Sequence, residues 1–278
     1  MDTEVSRDKL KMYTPSIIAP EPRSKRMGLA EMLGLKSNVI PIIAGPCGIE
    51  SKEQLKSVGN YLKSKSMKLM RGGAYKPRTS PYSFQGLGEE GLEILREVGE
   101  MYDLITVTEV LDVRDVDIVA KYADVLQIGA RNMFNYQLLK EVGRQNKPVL
   151  LKRGVCATVM EFLYAAEYIA AEGNKKIILC ERGIRTYETS TRYTLDISSI
   201  PIIKKEIDLP IIADISHSLG RKDIISPVAK AVFAAGADGI MVEVHPNPKE
   251  ALSDGFQQLD FMEFTSLLEG ISSYLKAY

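Results

Sequence analysis

The sequence predicts an α/β protein built as a single (β/α)8 TIM barrel behind a short N-terminal extension. Three observations carry this prediction. Eight short apolar runs recur along the 278 residues. Most are apolar on both faces, as strands of a sheet covered by helices should be. Amphipathic segments lie between them, so strand and helix patterns alternate over about 240 residues. An open doubly wound sheet would share the alternation but has no reason to stop at eight equivalent units.

Residues 1–36 come before the first run and mix charge with proline. They lack the apolar stretch of a signal peptide and are too short for a folded domain. They are expected to lie across the barrel floor or against a partner subunit. The catalytic barrel is expected over 37–278. Its strand candidates are VIPIIAGPC (39–47), MKLMRGGAY (67–75), LITVTEV (104–110), VLQIGAR (125–131), PVLLKRG (148–154), KIILCERG (176–183), LPIIADISHS (209–218) and GIMVEVHP (239–246). Amphipathic helical patterns occupy 89–102, 135–146, 157–173 and 222–236, and LDFMEFTSLLEGISSYLKAY closes the barrel. No internal stretch rich in Gly, Ser or Pro marks a linker.

Composition narrows the function. Thirty-six basic and 36 acidic side chains cancel, which argues against nucleic acid or a membrane surface as the main partner. No run of ~18 apolar residues suggests a membrane span. Three cysteines, Cys47, Cys156 and Cys180, form no close pair. A reducing, cytoplasmic setting is expected.

In this fold, chemistry collects at the carboxyl ends of the strands. Those ends carry Cys47, Arg71 with the Lys76/Arg78 loop, Glu109, Arg131, Lys152 with Arg153, Arg182, His217 and Glu243. Polar residues also mark where a strand leaves the core. That alone does not put cations at four of eight ends of a neutral protein. Arginine forks and lysine point charges suit phosphate and carboxylate, and their number suits two anionic groups. In RGGAYKPRTS, Gly72 and Gly73 would let the backbone approach a ligand, while Thr79 and Ser80 can donate to phosphate oxygens. The thiol, imidazole and carboxylate at the other ends, with Asp254 in the loop after the eighth strand, suit a divalent ion such as Mn2+, Fe2+, Co2+ or Zn2+. His245 lies two residues after Glu243 and would point the same way on a strand, so it competes with His217 as the imidazole. Cys156 and Cys180 read as loop or core residues.

With GPCGIE, RGGAYKPRTSPYSFQG, LQIGARNMFN, LLKRG, LCERGIRTYE, DISHSLGRK and GIMVEVHPNPKEALSDGFQQL in view, the chain from about residue 39 onward resembles the 3-deoxy-D-arabino-heptulosonate 7-phosphate (DAHP) synthases, type I beta subgroup. These are related to the 3-deoxy-D-manno-octulosonate 8-phosphate synthases. The resemblance implies a (β/α)8 barrel that condenses phosphoenolpyruvate with erythrose 4-phosphate and releases phosphate, at the first step of the shikimate pathway to chorismate and aromatic amino acids. By motif, it assigns the metal to Cys47, His217, Glu243 and Asp254, favouring His217 over His245. Phosphoenolpyruvate falls to Arg71, Lys76, Arg131, Lys152 and Arg182. The sugar phosphate falls to Pro77, Arg78, Thr79 and Ser80. Lys76 is the candidate proton donor to the new alkoxide, with a purely electrostatic role as the alternative. Glu109 is expected as an ion-pair partner, or to orient a water or a cation. A homotetramer is also implied.

Two positions depart from the family's usual residues: Gly48 and Cys156 stand where serine is common, and neither removes a ligand. The octulosonate synthases, which take arabinose 5-phosphate, read KANRSS where this chain reads KPRTS. Pro77 stiffens that loop and favours the shorter sugar. A non-catalytic phosphometabolite-binding barrel should have lost a ligand or cation, and none is missing. No regulatory domain is apparent in the chain, so the enzyme is expected to lack built-in feedback inhibition.

Overall fold

Parallel pairing runs without a break from the first strand to the eighth and returns to the first, closing the barrel. The computed structural model describes residues 15, 17–18, 27–36, 39–78 and 80–275. The strands are β1 (Ile42–Gly45), β2 (Leu69–Arg71), β3 (Ile105–Val110), β4 (Val125–Ile128), β5 (Val149–Lys152), β6 (Ile177–Glu181), β7 (Ile211–Asp214) and β8 (Gly239–Glu243). Most expectations for residues 1–36 fall outside the described residues. The exceptions include Ile18, buried with its amide donating to the Glu167 carboxylate (3.2 Å), and helix α1 (Leu29–Met32). Its Leu29, with Leu33 beyond it, joins the inward-facing cluster of Ile43, Leu69, Val107, Val125, Leu150, Ile178, Ile212 and Met241. Each fully buried Leu or Ile contributes about 1.5–3 kcal/mol relative to exposure.

The outer layer is formed by α2 (Lys52–Ser64), α3 (Glu89–Tyr102), α4 (Val116–Tyr122), α5 (Tyr136–Gly143), α6 (Val159–Ala171), α7 (Ser199–Glu206), α9 (Ile225–Ala234) and α10 (Phe261–Gly270); α11 (Ser272–Leu275) follows. A one-turn helix, α8 (Ile215–Leu219), follows β7 directly. Local chemistry explains several starts. Ser51 accepts from the Gln54 amide ahead of α2, and Asn135 from the Leu138 amide ahead of α5. Thr158–Glu161 and Asp260–Glu263 form capping boxes on α6 and α10. No helix of the described residues is long and apolar enough to cross a membrane.

Most strands are shorter than the apolar runs suggested, because the apolar sequence runs on past the last ladder bond, as at Leu111, Ile215 and Val244. The largest correction is at β7. The run 209–218 was expected to be one strand ending near His217, but the strand stops at Asp214. The Asp214 carboxylate accepts from the His217 amide (3.0 Å) and starts α8. His217 is therefore helical.

Candidate active site

At the end of β1, Gly45 has φ 145°, and a Cβ there would lie 2.1 Å from the Arg71 carbonyl oxygen. Only glycine lets the chain pass β2 this closely and deliver Cys47 over the barrel mouth. The Cys47 amide donates to Gln258 Oε1 (3.0 Å), and its Sγ lies 3.4 Å from Asp254 Oδ2. Asp254 adopts φ 48°, a left-handed conformation that aspartate tolerates better than most residues. Asp214 lies 2.8 Å from His217 Nδ1, leaving Nε2 facing Glu243 Oε1 at 3.3 Å. Cys47, His217, Glu243 and Asp254 thus come together, with one ligand atom from each all within 4.8 Å of one another. His245 turns elsewhere: its Nε2 lies 3.4 Å from Glu50, and its Nδ1 accepts from the Asn247 amide.

The electrostatics suit a cation. Burial pushes the Cys47 thiol up to about 11, with nearby Glu243 adding to the shift. Burial outweighs Asp214 and Glu243 at His217 and holds its pKa below the usual 6.5, so the imidazole is available as a neutral ligand. Burial alone would raise Glu243, but His217, Arg71 and Lys76 together hold it well below the usual carboxylate range. One sulfur, one nitrogen and two carboxylate donors make a set suited to a borderline divalent ion.

Beside the cluster opens a cavity of about 540 Å³. Arg71, Lys76, Arg78, Arg131, Lys152 and Arg182 all line it, as do Pro77 and Ser80. Thr79 lies outside the described residues. Several of these cations already have partners. Arg71 Nη1 donates to Glu243 Oε1 (2.6 Å), and Lys152 Nζ to Asp214 Oδ2 (2.6 Å). Lys76 Nζ sits between the cavity and the cluster, 2.9 Å from the Cys47 carbonyl oxygen and 3.0 Å from its Sγ. Arg182 stacks on Tyr193, 4.0 Å from the ring centroid, and its Nη1 is buried without a hydrogen-bond partner among the described residues. A buried, unsatisfied guanidinium nitrogen in a cationic cavity calls for an anion.

Other expectations need correction. Gly72 leaves room for Ile49, whose Cγ1 would lie 2.9 Å from an added Cβ, and Gly73 lets the backbone come close to the Cys47 carbonyl oxygen and the Lys76 side chain, each 2.8 Å from an added Cβ. Glu109 lines the cavity, but its partner is the Gln127 amide (3.3 Å), not a cation. Arg153 turns away to Glu181 and Asp196, each 2.8 Å from Nη1, and ties β5 to the loop after β6. Sequence reasoning missed Arg185 and Arg192, which also line the cavity. The signal was the density of arginine in RGIRTYETSTR, within the loop rather than at the strand end.

Comparisons with known proteins point to one family. The DAHP synthetase I family matches residues 30–277. Phospho-2-dehydro-3-deoxyheptonate aldolase of Thermotoga maritima is 59% identical over 228 residues, covering 82% of this chain and 68% of that protein. A 2-dehydro-3-deoxyphosphooctonate aldolase of Francisella tularensis subsp. holarctica is 32% identical over 257 residues, covering 85% of this chain and 92% of its own. The crystal structure of the Thermotoga maritima DAHP synthase superposes with TM-score 0.83 at 56% identity, over 85% of this chain and 69% of that one. A truncated form of the same enzyme gives TM-score 0.79 at 52% identity, over 85% and 87% of the two chains. With the barrel, the cationic cavity and these matches together, the chain belongs to the DAHP synthetase I family.

Proposed function

We propose that the protein is a 3-deoxy-7-phosphoheptulonate synthase, a transferase that condenses phosphoenolpyruvate with D-erythrose 4-phosphate and water to give DAHP and phosphate. This is the first step of the shikimate pathway. The observation that carries the reading is the convergence of eight cationic side chains around one cavity that borders the Cys47–His217–Glu243–Asp254 cluster. Two phosphorylated substrates need that excess of positive charge. The 59% identity to a DAHP synthase, against 32% to the octulosonate enzyme, supports erythrose 4-phosphate as the acceptor.

In this reading Arg131, Lys152 and Arg182 hold phosphoenolpyruvate together with Arg71 and Lys76. Arg182 has a buried nitrogen free to bond the ligand. Pro77, Arg78 and Ser80, which line the cavity, meet the sugar phosphate, together with Thr79 by motif. Cys47, His217, Glu243 and Asp254 would hold a divalent ion such as Mn2+, Fe2+, Co2+ or Zn2+, which when bound would supply Lewis acidity towards an aldehyde carbonyl. C3 of phosphoenolpyruvate forms the new bond to the aldehyde carbon, and positive character develops at C2. Lys76, beside the cluster and facing the cavity, gives a proton to the alkoxide. Water, which Glu109 would orient in this reading, adds at C2 and returns a proton to Lys76; the hemiketal phosphate then breaks its C2–O bond to phosphate, and its hydroxyl proton leaves with the phosphate as the C2 carbonyl forms.

The test is product formation by the purified protein with each aldose phosphate in turn. Turnover with erythrose 4-phosphate and little with arabinose 5-phosphate is expected. The reverse preference, or turnover with neither, overturns the assignment.

A further inference from the structure

Gln257, in the loop after β8, has no role in the scheme above, yet it is only 1% exposed. Its Nε2 donates to Glu243 Oε2 at 2.6 Å, and its Oε1 accepts from Arg192 Nη1 at 2.7 Å. Turning the amide over would set an acceptor against the carboxylate and a donor against the guanidinium. Only one orientation satisfies both neighbours. The other Glu243 oxygen takes Arg71 Nη1 at 2.6 Å. One donor from β2 and one from the loop after β8 therefore hold the two oxygens separately, which fixes the plane of the carboxylate. Arg192 also reaches Asp254 Oδ1 at 3.4 Å. The pair thus touches both carboxylates of the cluster.

We propose that Gln257 is a positioning residue for the metal site. It sets the Glu243 carboxylate, and Arg192 sets the Gln257 amide. The inference rests on the metal reading given under Proposed function. It makes Gln257 act through Glu243, without contact with either substrate. Partners of this kind behind metal ligands typically contribute 10–100-fold to affinity.

The experiment titrates Co2+ into metal-free protein, reading affinity by chelator competition and ligand geometry by the visible absorption of the bound ion. Gln257→Met keeps the length and removes both hydrogen bonds. It should bind Co2+ about 10–100-fold more weakly, with altered absorption bands, whatever the two lost hydrogen bonds take from the melting temperature of the metal-free protein. Arg192→Met alone should shift the bands in the same direction, and adding it to Gln257→Met should weaken binding by less than the sum of the two single losses, the remainder reporting the direct Arg192–Asp254 contact. Gln257→Glu keeps the shape and the Arg192 bond but sets a second carboxyl group against Glu243, repelling it as an anion or sharing its proton as an acid, so its spectrum must change too, even if the Met variant fails to fold. Wild-type affinity and spectrum in the Gln257 variants overturn the proposal. So does a loss of metal-free stability with the spectrum intact, which would make Gln257 a structural tie alone. If the wild type binds no ion, the metal reading fails and this one with it.

Discussion

Cys47 is a thiol where a metal site needs a thiolate. Burial holds its pKa near 11, so at neutral pH the free site is protonated, and a bound ion must displace that proton. His217, its pKa lowered chiefly by burial, has none to lose. Metal uptake at pH 7–8 should therefore release about one proton per ion, and affinity should rise about tenfold per pH unit through this range. Calorimetry in buffers of different ionisation heat reads the release directly. Uptake without proton release would remove Cys47 from the ligand set, and Cys47→Ser should abolish the release. At this scale the sequence was informative wherever a residue's role depends on strand position, as with Cys47 and Glu243. It hinted at Arg192 only through the arginine density of its loop and was silent on Gln257. Their roles depend on where two long loops cross, and no local pattern encodes that.

At the scale of elements, the eight strands were legible because a strand buried on both faces must be apolar throughout. Their ends were not, because apolar sequence continues past the last ladder bond. At β7 the reading overshot into α8, where one side chain, Asp214, makes a helix start out of what looks like strand. The end of β1 shows how strict these junctions are. Gly45 combines φ 145° with a backbone approach that leaves no room for a Cβ. The clash is with the Arg71 carbonyl in the neighbouring strand, which cannot rotate away as a side chain would. Gly45→Ala should cost at least ~1–3 kcal/mol in backbone strain alone, with the overlap adding to it, and should shift Cys47 out of the cluster. Urea unfolding together with metal binding checks both effects. A variant with wild-type stability and wild-type metal affinity would show that the β1–β2 junction can relax, contrary to this argument.

Across the whole molecule, a net charge of zero hides a strong sorting of charge. Cations crowd the cavity at the carboxyl ends of the strands, and two buried carboxylates beneath them, Asp214 and Glu243, offset part of that charge. This arrangement has a cost in acid. Asp214 would be raised by burial alone, but His217 and Lys152 hold it well below its usual 3.8. Glu243 is likewise held below 4.5. A carboxylate whose folded pKa is depressed contributes stability above its unfolded pKa and loses it as pH falls toward the folded value. His217 acts in the same direction for the opposite reason. Its folded pKa lies below 6.5, so the unfolded chain takes up a proton first as pH drops. All three groups make the unfolded state the better proton acceptor in acid. The metal-free protein should therefore lose stability from about pH 6.5 downward and more steeply below about pH 4.5, each group contributing up to about 1.4 kcal/mol per pH unit. Melting temperatures of metal-free wild type between pH 8 and pH 4 trace the curve. His217→Gln should flatten its upper part, between pH 6.5 and pH 5, and make the acid limb shallower, because His217 is one of the groups that hold Asp214 and Glu243 low. A wild-type curve level through that interval would mean that His217 is not held neutral in the fold, and with it would go the neutral imidazole that the metal cluster requires.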